Sequence, residues 1–160
     1  MFAIARYRRT VSASLKIESR AMDARKRTLA DAGALASDLL VEACGTDPEN
    51  ALQLEVVRDL ALDLGRRLEV LAREDAPGSL IEAALACADL ATLAACNLSV
   101  LPDRPLATAA VHLAAGATLA LIPLAESEAA TLNEASAEYT LKDARSAAWR
   151  ADLAARQLEG

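Results

Sequence analysis

Two long, almost uncharged arms in the middle of the chain restrict what it can fold into. From Leu80 to Leu101 the only formal charges are Glu82 and Asp89, and from Leu106 to Ala125 there is none when His112 is neutral. Pro102-Asp103-Arg104-Pro105 separates them, and proline cannot continue a helix. Each arm is too long for a typical strand and rich in alanine, the best helix former. The pair reads as an α-hairpin that must be covered on most sides. Either other helices or a bilayer could cover it. The second arm reaches the roughly 20 residues of a membrane span, but it carries Thr108, His112, Gly116 and Thr118, and Asp89 in the first arm would be costly in lipid. The expectation is a soluble bundle with this hairpin at its centre; a membrane-associated hairpin is the third reading.

The flanking sequence supplies the other helices. In Gly45-Thr46-Asp47-Pro48-Glu49 a helix-ending glycine precedes a cap residue, a proline suited to the first turn and an acid. One helix should end near Cys44 and the next begin near Pro48. In that second helix Val57, Leu60, Leu64, Leu68 and Leu71 recur at three- and four-residue steps as one apolar stripe. Asp75-Ala76-Pro77-Gly78-Ser79 stops it, and Ser79 with Glu82 has the spacing of a capping box for the third helix. Pro123 should kink or break the fourth helix. Beyond it the helical pattern runs to Leu158, with a joint near Ser136 to Thr140, and Leu132, Tyr139, Ala147 and Trp149 are the expected inward residues. The N-terminal region carries two patterns. Val11, Leu15, Met22, Leu29, Ala32, Ala36, Leu39 and Ala43 follow a heptad stripe, interrupted by Glu18 and Arg25. Val11 to Glu18 also alternates at period two, as a strand would. A single strand has no pairing partner elsewhere in the chain, so helix is favoured. The fold class expected is all-α: an antiparallel up-and-down bundle of four to five helices, with a long N-terminal helix and a Pro-kinked C-terminal helix, in one domain over residues 1–160.

About a quarter of the residues are alanine and only 2% are aromatic, so the core must be leucine, valine and alanine, with helices closely spaced. Charge is uneven. Residues 1–27 carry eight basic and two acidic side chains, a local net of +6 that leaves −12 on the remainder of a chain whose total is −6. Such an arm can mark a partner such as nucleic acid or an anionic membrane, or dock on an acidic face of the same or a neighbouring subunit. Nucleic acid is not an expected partner, because only Phe2 and Tyr7 interleave with the basic residues and no recognised module is present. Cys44, Cys87 and Cys96 are an odd set without C-x-x-C spacing, which gives no disulfide framework and fits a reducing cytoplasm. The N-terminus has no uninterrupted apolar run of the signal-peptide kind.

Chemistry-bearing residues are few. One histidine cannot form the paired Glu-x-x-His motifs of a di-iron bundle, no glycine-rich phosphate motif occurs, and neither a cofactor nor a metal is expected. The sharpest constellation comes from the hairpin. With its turn near Asp103, His112 falls opposite Ala94, within about a turn of Cys96 and Asn97, and Asp89 shares a face with Cys96 seven residues on. A thiol, a base and an orienting group are what nucleophilic cysteine chemistry needs, making Asp89, Cys96 and His112 the candidate catalytic set and Asn97 a candidate ligand contact. Glu134 and Glu138, one turn apart in an acidic patch with Glu126 and Glu128, are a second candidate ligand pair. A satisfied internal cluster and a solvated helix face explain these residues with fewer assumptions. The leading expectation is a non-enzymatic, cytoplasmic interaction bundle that self-associates, with a dimer favoured and residues 1–27 as the assembly arm. The alternative is a small-molecule enzyme or ligand-binding bundle with its pocket near Asp89, Cys96, Asn97 and His112.

Overall fold

The computed structural model describes residues 2–159, with side chains from Leu15 onward. Five α-helices lie among the described residues: α1 (Phe2–Ala43), α2 (Ala51–Leu71), α3 (Ser79–Cys96), α4 (Arg104–Ala129) and α5 (Glu134–Arg156). They run alternately up and down, so the protein is an all-α bundle. The chain alternating at Val11 to Glu18 is helical; Val11 of the heptad stripe lies outside the described side chains.

The apolar hairpin is the hub. Helix α3 packs against all four other helices, and the faces it presents are mostly alanine: Ala83, Ala84, Ala86, Ala88, Ala91 and Ala94 are all buried. Small side chains on every face let four neighbours approach one helix closely. By length and hydropathy both α3 and α4 could cross a bilayer, but 67% of the α3 window is buried inside the bundle against 44% for α4. The apolar surface of α3 is therefore largely consumed by its neighbours. Two core clusters follow, one around Leu40, Leu54, Leu90 and Val111, the other around Leu68, Leu80, Cys87 and Leu121, with Leu64 packed against both.

Glycine sets the closest approach of α1 to α2 and α3. A Cβ on Gly33 would stand 2.5 Å from Cys87 Sγ and 2.9 Å from Leu68 Cδ1. One on Gly65 would collide with the Ser37 hydroxyl, which donates to the Ala61 carbonyl at 2.6 Å. That bond satisfies a fully buried serine without breaking either helix.

Several local expectations are corrected. Leu60 is exposed, because the inward face of α2 is Leu54, Val57, Ala61, Gly65, Leu68 and Leu71. On α1 the buried face is Lys26, Ala30, Gly33, Ala36, Ser37, Leu40 and Ala43; a helix facing three neighbours buries a wider, partly polar face than a two-helix seam. Tyr139 and Trp149 are 71% and 65% exposed, since α5 presents Thr140, Ala144, Ala147, Ala151 and Ala154 inward and that contact has no space for aromatic rings. The capping box at Ser79 does not form. Gly78, at φ +87°, occupies the cap position, and Ser79 is the first helical residue. Pro123 lies on the exposed side within α4, which continues to Ala129; there water can take the carbonyl that a missing donor leaves free. The break falls at 130–133, where Asn133 caps α5 by accepting from the Ser136 amide at 3.0 Å.

Candidate functional site

Up-down packing brings α3 and α5 side by side in parallel, and their contact gathers some of the residues singled out above. Asp89 is half-buried on α3 and forms an ion pair with Arg150 on α5, as an acid in an apolar helix requires. One and two turns further on, Thr92 and Cys96 line a hollow of about 140 Å³ with Trp149, Arg150, Leu153, Ala154 and Gln157. The Thr92 hydroxyl is used, donating to the Ala88 carbonyl at 2.8 Å. Cys96 is exposed, whereas Cys44 and Cys87 are buried. Burial pushes the Cys87 thiol up to about 12 and raises that of Cys44, where the nearby Arg58 guanidinium opposes the effect.

The rest of the candidate set is dispersed. His112 is exposed on α4, because the buried residues there are Ala107, Ala110, Val111, Ala114 and Thr118 and a step of one residue turns a side chain by 100°. Asn97, which ends α3, accepts from the Gln53 amide at 2.8 Å and donates to the Leu93 carbonyl at 2.8 Å. Its polar groups tie α2 to the hairpin. Glu134 and Glu138 are exposed in the first turns of α5. No group of three or more His, Cys, Asp or Glu side chains placed to hold a metal occurs among the described residues.

The opposite end of the bundle holds a polar knot that periodicity did not reveal. Lys26, only 4% exposed, reaches from α1 to donate to the Glu74 carbonyl just after α2 and to the Ser79 hydroxyl, 3.2 Å away, at the start of α3. A cation at a helix C-terminus is favoured by the carbonyls left free there. A hollow of about 40 Å³, roughly the space of one water, lies between Met22, Asp23, Lys26, Asp75, Ser79 and Glu128. A serine hydroxyl beside an amine has the elements of a nucleophile and its base, but both are buried and the hollow admits no substrate. The arrangement is a clamp.

Comparison with family models, with curated proteins and with solved structures gives no match.

The longest of the described helices is α1. At 42 residues it is about 63 Å long, against about 31 Å for the 21-residue α2. Every residue from Leu15 to Ala21 is exposed, including Leu15 at 60% and Ile17 at 68%. Nearly two helical turns thus have no covered face. Just above, Ala24, Arg25, Thr28 and Leu29 form one wall, and Ala120 and Leu124 of α4 the other, of an open groove of about 490 Å³. A long first helix was legible from the heptad stripe; that the turns from Leu15 to Ala21 are uncovered was not, because the helical pattern does not say where the other helices stop.

Proposed function

We propose that this protein is a non-enzymatic assembly element: a helical bundle that pairs with a second copy of itself through the N-terminal part of α1. The observation that carries the reading is the exposed run from Leu15 to Ala21. A helix in water with no packed face gains little from propensity alone, and leaving Leu15 and Ile17 in solvent forgoes about 1.5–3 kcal/mol for each side chain that a partner could bury. The charges favour a second copy as the occupant. The arm belongs to a segment of net +6, and the end of the bundle from which it emerges exposes Glu74, Asp75, Glu126, Glu134 and Glu138. A two-fold axis would let each arm lie along its partner's α1 and α4 in the groove between Leu29 and Leu124, meeting those acids twice. A reducing, cytoplasmic setting belongs to the same reading, since the three cysteines are free.

Light scattering on the full chain and on a truncation lacking residues 1–18, at low and high salt, tests this. The truncation keeps Lys26 and the body of the bundle. A full-length dimer that weakens with salt, and a truncated form that is helical and monomeric, are the expected results. A full-length chain that stays monomeric at millimolar concentration refutes the reading.

A further inference from the structure

We propose that the arm of a second copy lands on the outer face of the second half of α1, around Leu35, with the two α1 helices antiparallel. This rests on the self-association proposed above and names the surface that receives the arm. At 100° per residue, Ile17, Ala24, Thr28 and Leu35 lie within about 40° of one another. All four are exposed, Ile17 at 68% and Leu35 at 52%. The buried Lys26 and Gly33 lie roughly half a revolution away, so the stripe looks straight out of the bundle, where none of the described helices covers it.

Charge selects the occupant. Along one flank of the stripe α1 carries, in order, Lys16, Arg20, Asp23, Arg27, Asp31 and Asp38. All but the partly buried Asp23 are exposed, and none forms an ion pair among the described residues. The flank begins basic and ends acidic, which makes it complementary to its own reverse. A two-fold axis level with residues 25 and 26 sets opposite each other residues whose numbers add to about 51. Arg20 then faces Asp31 of the second copy, Asp23 faces Arg27 within one residue, and Lys16 lies within a turn of Asp38. Each pair occurs twice. Ile17 falls beside Leu35, so the two large apolar side chains of this face cover each other, and near the axis Ala24 meets Thr28, both small enough for close approach. A parallel pair would instead set each charge beside its own copy, Arg20 against Arg20, and repel. The groove beside α4, walled by Ala24 and Thr28, receives the last turns of the arm, and its earlier turns continue to Leu35.

Sedimentation equilibrium of full-length variants at low salt tests the landing site. Arg20→Glu and Asp31→Arg alter exposed side chains, so both should keep the helical spectrum, and each should weaken dimerisation about tenfold by turning two attractive pairs repulsive. Leu35→Asp should weaken it as well. Mixed in equal amounts, the Arg20→Glu and Asp31→Arg chains should recover a dimer near wild-type affinity: the carboxylate introduced at 20 faces the guanidinium introduced at 31, and the untouched Arg20 and Asp31 face each other. Asp63→Arg, the same reversal at an exposed position of α2, should leave dimerisation unchanged. A wild-type dimer unmoved by Asp31→Arg and Leu35→Asp, a mixture that stays monomeric, or an equal loss on Asp63→Arg overturns the landing site and leaves self-association to another surface. A wild-type chain that stays monomeric at millimolar concentration overturns the self-association reading and this inference with it.

Discussion

Adding one methyl group at Gly33 should lower stability, although alanine is favoured over glycine in a helix by about 1 kcal/mol. The added Cβ would be 2.5 Å from Cys87 Sγ and 2.9 Å from Leu68 Cδ1, roughly 1 Å inside ordinary contact. Neither neighbour can retreat, since Cys87 and Leu68 are fully buried, so α1 must move away from α2 and α3 or both side chains must leave their rotamers. Overpacking of this kind costs about 1–3 kcal/mol, and after the helical gain the net loss is about 1 kcal/mol. Gly116 provides the comparison. It lies in a helix with no heavy atom within 4 Å of an added Cβ, and Gly116→Ala should gain about 1 kcal/mol. Urea unfolding followed by helical circular dichroism reads both variants, whose midpoints should move in opposite directions at unchanged slope. In a Cys87→Ala background the Gly33→Ala penalty should shrink, because the nearest obstacle is gone. If Gly33→Ala raises the midpoint as Gly116→Ala does, close approach at Gly33 is not what holds α1 against α2 and α3.

Three further outcomes follow from the packing. Lys26→Met removes the amine that bonds the Glu74 carbonyl and the Ser79 hydroxyl, and a thermal melt should show a loss of about 1–3 kcal/mol, or roughly 2–4 °C per kcal/mol for a chain of this size. Pro123→Ala, at an exposed position inside α4, restores a helical donor and should raise the melting temperature; a fall would mean that the proline shapes a contact that solvent exposure does not reveal. The Cys87 thiol titrates from an ordinary 9.0 when unfolded but is pushed up to about 12 in the fold. Its stabilising contribution is complete below pH 9 and is lost as pH rises from 9 through about 12, at up to about 1.4 kcal/mol per pH unit. Urea midpoints measured between pH 8 and 10.5 should therefore fall less steeply for Cys87→Ala than for the wild type.

The hairpin, a bundle of four to five helices and a long first helix were legible because they rest on local signals: proline and glycine punctuation, apolar periodicity and long stretches without charge. The positions read wrongly share one cause. Tyr139 and Trp149 are large and apolar, and in isolation such residues argue for an inward position; α5 instead meets its neighbours through Thr140, Ala144, Ala147, Ala151 and Ala154, where only small side chains fit. Leu60 turned outward for a related reason, with Ala61 and Gly65 taking the contact.

The site followed the same division. That Asp89 needs a partner could be read from its apolar surroundings, and that Asp89 and Cys96 share a face from their spacing. Which residue answers Asp89 depended on α5 lying parallel to α3, 61 positions further along the chain, a relation that periodicity cannot encode. His112 was lost from the cluster because a hairpin register places residues along an axis and leaves their rotation to packing. Lys26 was unreadable for the opposite reason: a lysine on a basic helix is ordinarily solvated, and only the meeting of the end of α2 with the start of α3 makes a buried place for its charge. The sequence by itself determined that the chain is helical, the turns near Gly45, Gly78 and Pro102 and how apolar each arm is, because those depend on neighbours within a turn or two. Rotation about each helix axis, and with it every contact that could bind or assemble, was decided only in the tertiary structure, where small residues at Gly33, Gly65 and along α3 set how closely and at what angle the helices meet.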